Sequence, residues 1–428
     1  MTIRRGSLLA RSFRNDHIKQ MASLPLRLLV IFVTLLLPMT AGAATFRVAT
    51  YNILNFPDAL GYQRLDDLRA AVDIIDPDIL VVQEMQSQAG VNLFLDSVMH
   101  TISPSFSSVP FNDGPDTDNA LFFRNDRMDI VGVQYLATPN RNIAEYRLML
   151  SDTRSELYLF SIHLKASEGS SNEIIRLQEA TILRDRLNLL PPGTDFIVAG
   201  DFNIYYSDEP AFQKLIDSVQ NTSGRLIDPL ALLGYWHENS SFAGAHTQST
   251  RTDQLPDGGA SGGLDDRFDM ILCSEGIMSS GGLSLVYDSH TILGNDGAHF
   301  NLAINDGINN AVPAEIADAL YWASDHLPLY VDLSGDSGAV IDRPEVRVWP
   351  NPMQGVSEIT LPWHEGFISA RVCMTNILGQ RVFEDTFYES AGFTLQRGDL
   401  PVGVYFLHVF IKTEYDEHRY RTTVAVVR

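Results

Sequence analysis

The chain contains little cysteine and comparatively few basic residues. Its 428 residues include two cysteines, Cys273 and Cys373, which lie 100 positions apart. This spacing excludes a disulfide framework and a cysteine-based metal site. Lysine and arginine total 31 against 53 acidic residues, so the formal net charge is −22. Such acidity disfavours holding a long polyanion by diffuse electrostatics, and a nucleic acid would need a local basic or metal-bearing patch.

A long hydrophobic run is also absent. The apolar run Leu28–Leu37 spans ten residues and stops at Pro38. It is too short to cross a bilayer comfortably. Basic residues precede it, and Ala41-Gly42-Ala43 follows at the spacing of a cleavage site, which is typical of a secretory signal peptide. We therefore predict that residues 1–43 are a signal peptide and that the protein is secreted or held at the cell surface; a membrane anchor is the alternative, and Met21 is an alternative start.

Strand and helix patterns alternate from Ala44 onward, as expected for an α/β domain extending to Ser334. Residues 335–342 have the composition of a linker, and residues 343–428 carry short strands separated by turn signals, which predicts a small C-terminal β-sandwich. The predicted helices are Leu65–Ile75, Gly90–Met99, Glu173–Leu189 and one from an N-cap at Ser207 to Val219.

Polar side chains follow several predicted strands at the point where each one ends. The clearest case is F-I-V-A-G-D-F-N at 196–203, where Gly200 permits a tight turn before Asp201 and Asn203. Alone this pattern also fits an ordinary turn, because Asp and Asn are common turn residues. The other strand-end groups are Asn52, Glu84, His163, Asp325 and His326. Polar groups beyond strand ends collect at one edge of a layered α/β fold, where oxygen donors suit Mg²⁺, Mn²⁺ or Ca²⁺ better than zinc.

Six stretches, in chain order, resemble the endonuclease/exonuclease/phosphatase superfamily of deoxyribonuclease-like proteins. They are T-Y-N at 50–52, V-V-Q-E at 81–84, S-I-H-L-K at 161–165, A-G-D-F-N at 199–203, R-F-D-M-I-L at 267–272 and S-D-H-L-P at 324–328. The resemblance implies a four-layered α/β sandwich, in which two β-sheets lie face to face with helices outside. It also implies a metal-dependent phosphodiesterase, with Mg²⁺ as the expected ion and Mn²⁺ or Ca²⁺ as alternatives.

The resemblance assigns a role to each matched residue. Glu84 would bind the divalent metal, with Asn52 and Asp325 beside it. Asp201 and Asn203 would position the water and the phosphate. Asp269 would orient His326, and His163 would give a proton to the leaving oxygen. In the family an acidic side chain just before the strand at 120–123 steadies the first histidine, but the sequence does not indicate which of Thr117, Asp118 and Asn119 takes that part. Arg124, Lys165 and Arg267 fit either phosphate contacts or strand-edge charges.

The C-terminal part has a resemblance of its own. V-W-P-N-P at 348–352, N-I-L-G at 376–379 and G-V-Y at 403–405 resemble the C-terminal sorting domain of type IX secretion substrates. This implies an export machinery as partner; an unrelated carbohydrate-binding or spacer sandwich is the alternative. The other expected partner is a phosphodiester, either a nucleic acid or a phospholipid head group, with no stable membrane span. A catalytically silent extracellular binding protein is a further alternative.

Overall fold

The computed structural model describes residues 44–218, 222–279, 282–335, 346–361, 366–376, 381–388, 392–398, 400–413 and 417–427. The predicted signal peptide, residues 1–43, lies outside this range, as does the predicted linker after Gly335. Among the described residues, no helix combines the length and the apolar character needed to span a bilayer.

The α/β part contains twelve strands and seven α-helices within the described ranges. The strands are β1 Ala44–Phe56, β2 Ile79–Met85, β3 Phe106–Ser108, β4 Asp118–Arg124, β5 Met128–Leu136, β6 Ile143–Leu150, β7 Glu156–His163, β8 Phe196–Asp201, β9 Asp269–Cys273, β10 Leu283–Leu285, β11 Thr291–Ile292 and β12 Leu329–Gly335. The helices are α1 Leu65–Ile75, α2 Gln88–Phe94, α3 His100–Ile102, α4 Ser170–Asn188, α5 Pro210–Ile216, α6 Glu275–Met278 and α7 Ala314–Ala323.

These strands form two sheets. The first has the order β10-β12-β1-β2-β4-β3 with β11 beside β12, and the second has the order β5-β6-β7-β8-β9. Within the first sheet β1 and β2 are parallel, and within the second β7 and β8 are parallel. The carboxyl ends of neighbouring parallel strands lie at the same edge of a sheet, so each sheet places one pair of strand ends at the site.

The two sheets pack face to face between layers of helix. One apolar cluster joins inner-face residues of both sheets, such as Val81 and Leu159, to α1 and α7. A second cluster packs Val198 of β8 against Leu183 of α4 and against α5. Helix α1 buries Leu68, Ala71, Val72 and Ile75, the i, i+3, i+4, i+7 stripe of an amphipathic helix. The predicted four-layered α/β sandwich is therefore confirmed.

Several helix boundaries differ from the sequence predictions; α4, for example, covers Ser170–Asn188 where Glu173–Leu189 is predicted. The helix predicted from Ser207 begins instead at Pro210. The Ser207 hydroxyl is not its cap, because it accepts a hydrogen bond from the Gly234 amide at 2.9 Å. The predicted helix over residues 90–99 begins at Gln88 as α2 and continues as a π-helical turn over Leu95–Met99.

The C-terminal part is entirely β-structure where it is described. Its strands are β13 Arg347–Trp349, β14 Val356–Thr360, β15 Phe367–Asn376, β16 Arg381–Tyr388, β17 Gly392–Gln396, β18 Gly403–Thr413 and β19 Glu417–Val426. They form two antiparallel sheets, β13-β14-β17 and β16-β15-β18-β19. A separate apolar cluster that includes Val372, Leu407 and Leu395 fills the space between them. The predicted small sandwich is confirmed.

Candidate active site

Strand register places three site residues side by side in the second sheet. His163, the last residue of β7, pairs with Asp201 at the end of parallel β8. Asp201 in turn pairs with Asp269, the first residue of antiparallel β9. Gly200 makes this approach possible, because a Cβ there would lie 2.0 Å from the carbonyl oxygen of Ile162. Asp201 thus lies between a histidine and a second carboxylate.

The second histidine reaches this group from the loop before β12. His326 Nδ1 lies 2.7 Å from Asp269 Oδ2, and His326 Nε2 lies 3.8 Å from Asp201 Oδ2. His163 Nε2 is 3.4 Å from the same Asp201 oxygen. All four of these side chains are buried. The two imidazoles therefore both lie close to the same carboxylate oxygen of Asp201.

The first sheet contributes an amide and a carboxylate. Asn52 Nδ2 donates to Glu84 Oε1 at 3.0 Å and to Asp201 Oδ2 at 3.1 Å. Glu84 also accepts a hydrogen bond from the Asn55 amide at 2.8 Å. Its φ of 66° is unusual for a residue with a side chain, and such backbone strain is typical of functional sites. Asn52 therefore joins the two sheets across the site.

Asn203 and Asp325 complete the set of eight predicted residues. The Asn203 amide nitrogen donates to Asp201 Oδ1 at 3.0 Å, and its side chain donates to the Leu164 carbonyl oxygen at 3.2 Å. Asp325 Oδ2 accepts from the Ala260 amide at 2.7 Å. All eight side chains that the sequence singles out lie in one connected cluster at the carboxyl-end edge of the two sheets.

Burial and charge shift the pKa values of the two histidines in opposite directions. Burial lowers the pKa of His163 well below its ordinary value, and the positive charges of Arg141, His326 and Lys165 lower it further. Burial also disfavours charge on His326, but the charge and hydrogen bond of Asp269 outweigh it and raise the pKa well above 6.5. The cluster thus favours the neutral form of His163 and the charged form of His326.

The pKa values of two carboxylates in the cluster, Asp201 and Glu84, are both raised. Burial raises the pKa of Asp201, and the charges of Asp269 and Glu84 add to it, whereas His326 opposes the shift. Burial raises the pKa of Glu84, and the negative charge of Asp325 raises it further. Glu84 and Asp325 therefore repel each other. A divalent cation between them would remove this repulsion, and their oxygen donors fit Mg²⁺, Mn²⁺ or Ca²⁺.

A second set of possible ligands shares no residue with the first. Asp201, Asp269 and His326 each place one ligand atom within 4.8 Å of the others, so these residues could also hold an ion. However, His326 Nδ1 is already bound to Asp269, and its Nε2 lies 2.6 Å from Gln248 Nε2. Because both ring nitrogens have neighbours, this trio fits a hydrogen-bonded relay better than a cation site.

No side chain of residues 117–119 bonds to His163. Asn119 accepts from the Ser161 hydroxyl at 2.8 Å, and Asp118 accepts from the Gly114 amide at 2.8 Å. His163 Nδ1 is buried with no hydrogen-bond partner among the described residues. His163 thus has Asp201 as its polar neighbour, and the steadying carboxylate that the resemblance implies is not seen in this segment.

The three cations considered from sequence have partners elsewhere. Arg124 pairs with Asp76, and Arg267 makes a two-pronged contact with Asp228 at 2.8 and 2.9 Å. The Lys165 ammonium donates to the Ala166 carbonyl oxygen at 3.1 Å. These contacts favour structural roles for Arg124 and Arg267.

Sequence reasoning missed two residues at the site. Arg141 donates to the Leu164 carbonyl oxygen at 3.3 Å, next to His163, and its Nε has no partner among the described residues. Gln248 touches both His326 and Asp325, with Nε2 3.3 Å from Asp325 Oδ2. Neither follows a predicted strand. Gln248 lies just after His246 and Thr247, in polar sequence without periodicity, so no local signal marked it.

Comparison with known proteins decides the family. Residues 49–326 match the Endonuclease/Exonuclease/phosphatase family. The chain belongs to this family. Residues 347–419 match the secretion system C-terminal sorting domain. Both resemblances drawn from the motifs are thereby confirmed. A search of curated proteins finds no match.

Several solved structures are similar to this family domain. TDP2 of D. rerio, complexed with a single-strand DNA product, is 14% identical, with a TM-score of 0.44, covering 68% of this chain and 99% of that one. An endonuclease/exonuclease/phosphatase from Bacteroides vulgatus is 15% identical, with a TM-score of 0.46, covering 68% and 100%. The human Nocturnin catalytic domain with bound sulfate is 19% identical, with a TM-score of 0.42, covering 68% and 95%.

Proposed function

We propose that the protein is an exported, divalent-metal-dependent phosphodiesterase, most closely a nuclease-like hydrolase. The observation that carries the proposal is the placement of Asp201 between His163 and the His326–Asp269 pair, with Asn52 and Glu84 across the sheet interface. Hydrolysis of a phosphodiester needs a base for water and a proton donor for the leaving oxygen. It also needs positive charge beside the phosphate, and this arrangement offers all three.

Each residue has a defined part in the proposal. Asp201 accepts a proton from the attacking water, since burial raises its pKa and its oxygen lies near both imidazoles. The backbone amide of Asn203 orients Asp201, and the Asn203 side chain orients the segment after His163. Charged His326, held by Asp269, neutralises the negative charge that builds on the phosphate in the transition state.

His163 acts on the leaving group. Burial lowers the pKa of its imidazole, but the negative charge of a bound phosphodiester favours the protonated form. His163 then transfers this proton to the leaving oxygen as the phosphorus–oxygen bond breaks. Arg141, beside His163, is placed to contact a phosphate oxygen.

The cation would be held by Glu84 and Asp325, with the Asn52 side chain beside them. When bound, it would supply Lewis-acid stabilisation of phosphate and leaving-group charge. The chain's own part is to hold Glu84 close enough to Asp325 that the two charges repel, a repulsion that a positive ion would relieve.

The acidity of the chain favours a particular class of substrate within this proposal. A net charge of −22 disfavours long-range capture of a polynucleotide, so a small phosphodiester or a phospholipid head group is the second candidate. A catalytically silent binding protein is not favoured, because such a protein would not need a buried carboxylate on the strained backbone of Glu84.

The test is turnover on a panel of substrates. Duplex DNA, RNA, sphingomyelin and bis-p-nitrophenyl phosphate would each be assayed with and without a chelator. Metal-dependent hydrolysis of at least one substrate supports the proposal and assigns the class. Full turnover by rigorously metal-free protein would overturn the mechanism.

A further inference from the structure

The polar loop of residues 248–263, here called the Asp325 loop, encloses the carboxylate at position 325. Two of its donors reach the same oxygen. Gln248 Nε2 lies 3.3 Å and the Ala260 amide 2.7 Å from Asp325 Oδ2. Among the described residues, Asp325 Oδ1 accepts one hydrogen bond, from the Ser324 hydroxyl at 3.4 Å. The loop therefore occupies one carboxylate oxygen and leaves the other available to a ligand.

A buried ion pair supports the loop from inside. Arg251 is fully buried, and its Nη1 donates to Asp257 Oδ2 at 2.6 Å. The other oxygen of Asp257 accepts from the Gly259 amide at 3.1 Å, directly before Ala260. The contacts thus run from Arg251 through Asp257 to Gly259, and the next residue, Ala260, donates to Asp325.

Close packing leaves this loop little freedom. A Cβ on Gly259 would lie 2.8 Å from Leu54 Cδ2 and 3.1 Å from both Arg251 Nη2 and Asp325 Cβ. The Ser249 hydroxyl also donates to the Ala260 carbonyl oxygen at 2.9 Å. Ordering a glycine-rich segment costs conformational entropy. The Arg251–Asp257 pair and these contacts offset that entropic cost in a segment that lies next to Asp325.

We propose that the Asp325 loop fixes Asp325 for a divalent cation, and that Arg251 is a positioning residue for this ligand. The inference rests on the proposed function, which places the cation at Glu84 and Asp325. In this proposal Arg251 acts on Asp325 through Asp257 and the Gly259–Ala260 turn. Loss of Arg251 releases the Gly259–Ala260 turn. Cation binding must then also orient Asp325, which weakens the binding.

Arg251→Met tests the proposal, because methionine fills similar space without charge. Metal-free wild type and variant would be titrated with Mn²⁺, and free Mn²⁺ measured by electron paramagnetic resonance. Loss of a residue that orients a metal ligand typically weakens affinity about 10–100-fold, and we expect a rise in Kd in that range. At saturating Mn²⁺, kcat should stay within about threefold of wild type, since the proton-transfer groups are unchanged.

Arg176→Met is the matched control. Arg176 is equally buried and pairs with Glu209 at 2.5 Å, but it supports the loop after His163 through the Lys165 and Ser167 carbonyl oxygens. Sites without shared partners act independently, so its Mn²⁺ Kd should remain within about twofold of wild type. Equal weakening by both variants would mean a general stability effect and would overturn the proposal.

The outcomes separate this inference from the function on which it rests. If wild type binds no Mn²⁺, the proposed metal-dependent function fails. If wild type binds Mn²⁺ and folded Arg251→Met binds it equally well, only the role of the loop fails. Should Arg251→Met not fold, Asp257→Asn keeps a hydrogen-bonding oxygen while removing the charge, and an unchanged Kd in that variant overturns the inference.

Discussion

His326 Nδ1 lies 2.7 Å from Asp269 Oδ2, although 57 residues separate the two in the chain. Asp269 belongs to strand β9, and its backbone amide donates a hydrogen bond to the Thr247 hydroxyl at 3.0 Å. These contacts fix the position of Asp269. The carboxylate thus fixes the ring orientation of His326 and stabilises its charged form. The proposed mechanism depends on this pair.

Asp269→Asn should lower kcat by roughly 10²–10⁴, because an amide neither stabilises the imidazolium nor enforces its orientation. Removing the negative charge of Asp269 should also lower the pKa of His326, and this pKa can be measured by NMR of the imidazole. Asp266→Asn is the control, since Asp266 pairs with His237 at 2.6 Å instead. An unchanged kcat in Asp269→Asn would remove the pair from the mechanism.

His163→Ala should also lower kcat by roughly 10²–10⁴, through loss of the proton donor. Its melting temperature should change little, since Nδ1 has no partner and the Nε2 contact to Asp201 is long at 3.4 Å. His326→Ala should differ by leaving the buried Asp269 unpaired, which costs about 3–5 kcal/mol of unfolding free energy. Wild-type kcat in His163→Ala across the substrate panel would refute its role as general acid.

Glu84→Gln should raise the Mg²⁺ or Mn²⁺ concentration needed for half-maximal activity by about tenfold or more, since one charged ligand is lost. Chelation should abolish wild-type turnover, and added metal should restore it. Glu156→Gln serves as control, because Glu156 pairs with Arg147 on the β6–β7 hairpin. The same metal dependence in Glu84→Gln and wild type would contradict Glu84 as a ligand.

Glu179 should make stability depend on pH. It is fully buried in α4, and burial raises its pKa to about 7 from 4.5. A carboxyl whose pKa is raised by folding favours the native state when protonated, so the free energy of unfolding falls as the pH rises from 4.5 to 7. The loss is about 3 kcal/mol by proton linkage.

Glu179→Gln should remove this dependence while still accepting the hydrogen bond that the Lys165 amide donates to Glu179 at 2.8 Å. The variant should therefore gain stability relative to wild type between pH 5 and pH 8, measured by denaturant unfolding at both values. A difference between variant and wild type that does not change with pH would show that Glu179 does not titrate in this range.

A chain covering residues 44–335 should fold and keep kcat/KM within a few-fold of the full chain. The end at Gly335 follows the structure, because β12 pairs Gly335 with Ala44 at the start of β1. In a host with the matching export machinery this shorter chain should remain in the periplasm, and the C-terminal part alone should carry a passenger out. A soluble, folded but inactive product would show that the C-terminal part belongs to the active unit.

The sequence by itself determined the local elements and the residue types at their ends. Short apolar runs such as Phe196–Ala199 are recognisable as buried strands, and the side chains after them are recognisable as polar groups. The ordered motifs then sufficed for the family and the layered fold. These features are encoded over a few neighbouring residues, which is why they can be read without a structure.

Only the tertiary structure decided how those groups meet. The register of β7, β8 and β9 places Asp201 between His163 and Asp269, and a shift of one residue would turn each side chain to the opposite face. Gln248 and Arg251 lie in a loop without periodicity, so their contacts with the Asp325 region depend on packing between distant segments. Hydrogen bonds and buried charges across such distances are set by the complete fold, and local sequence does not specify them.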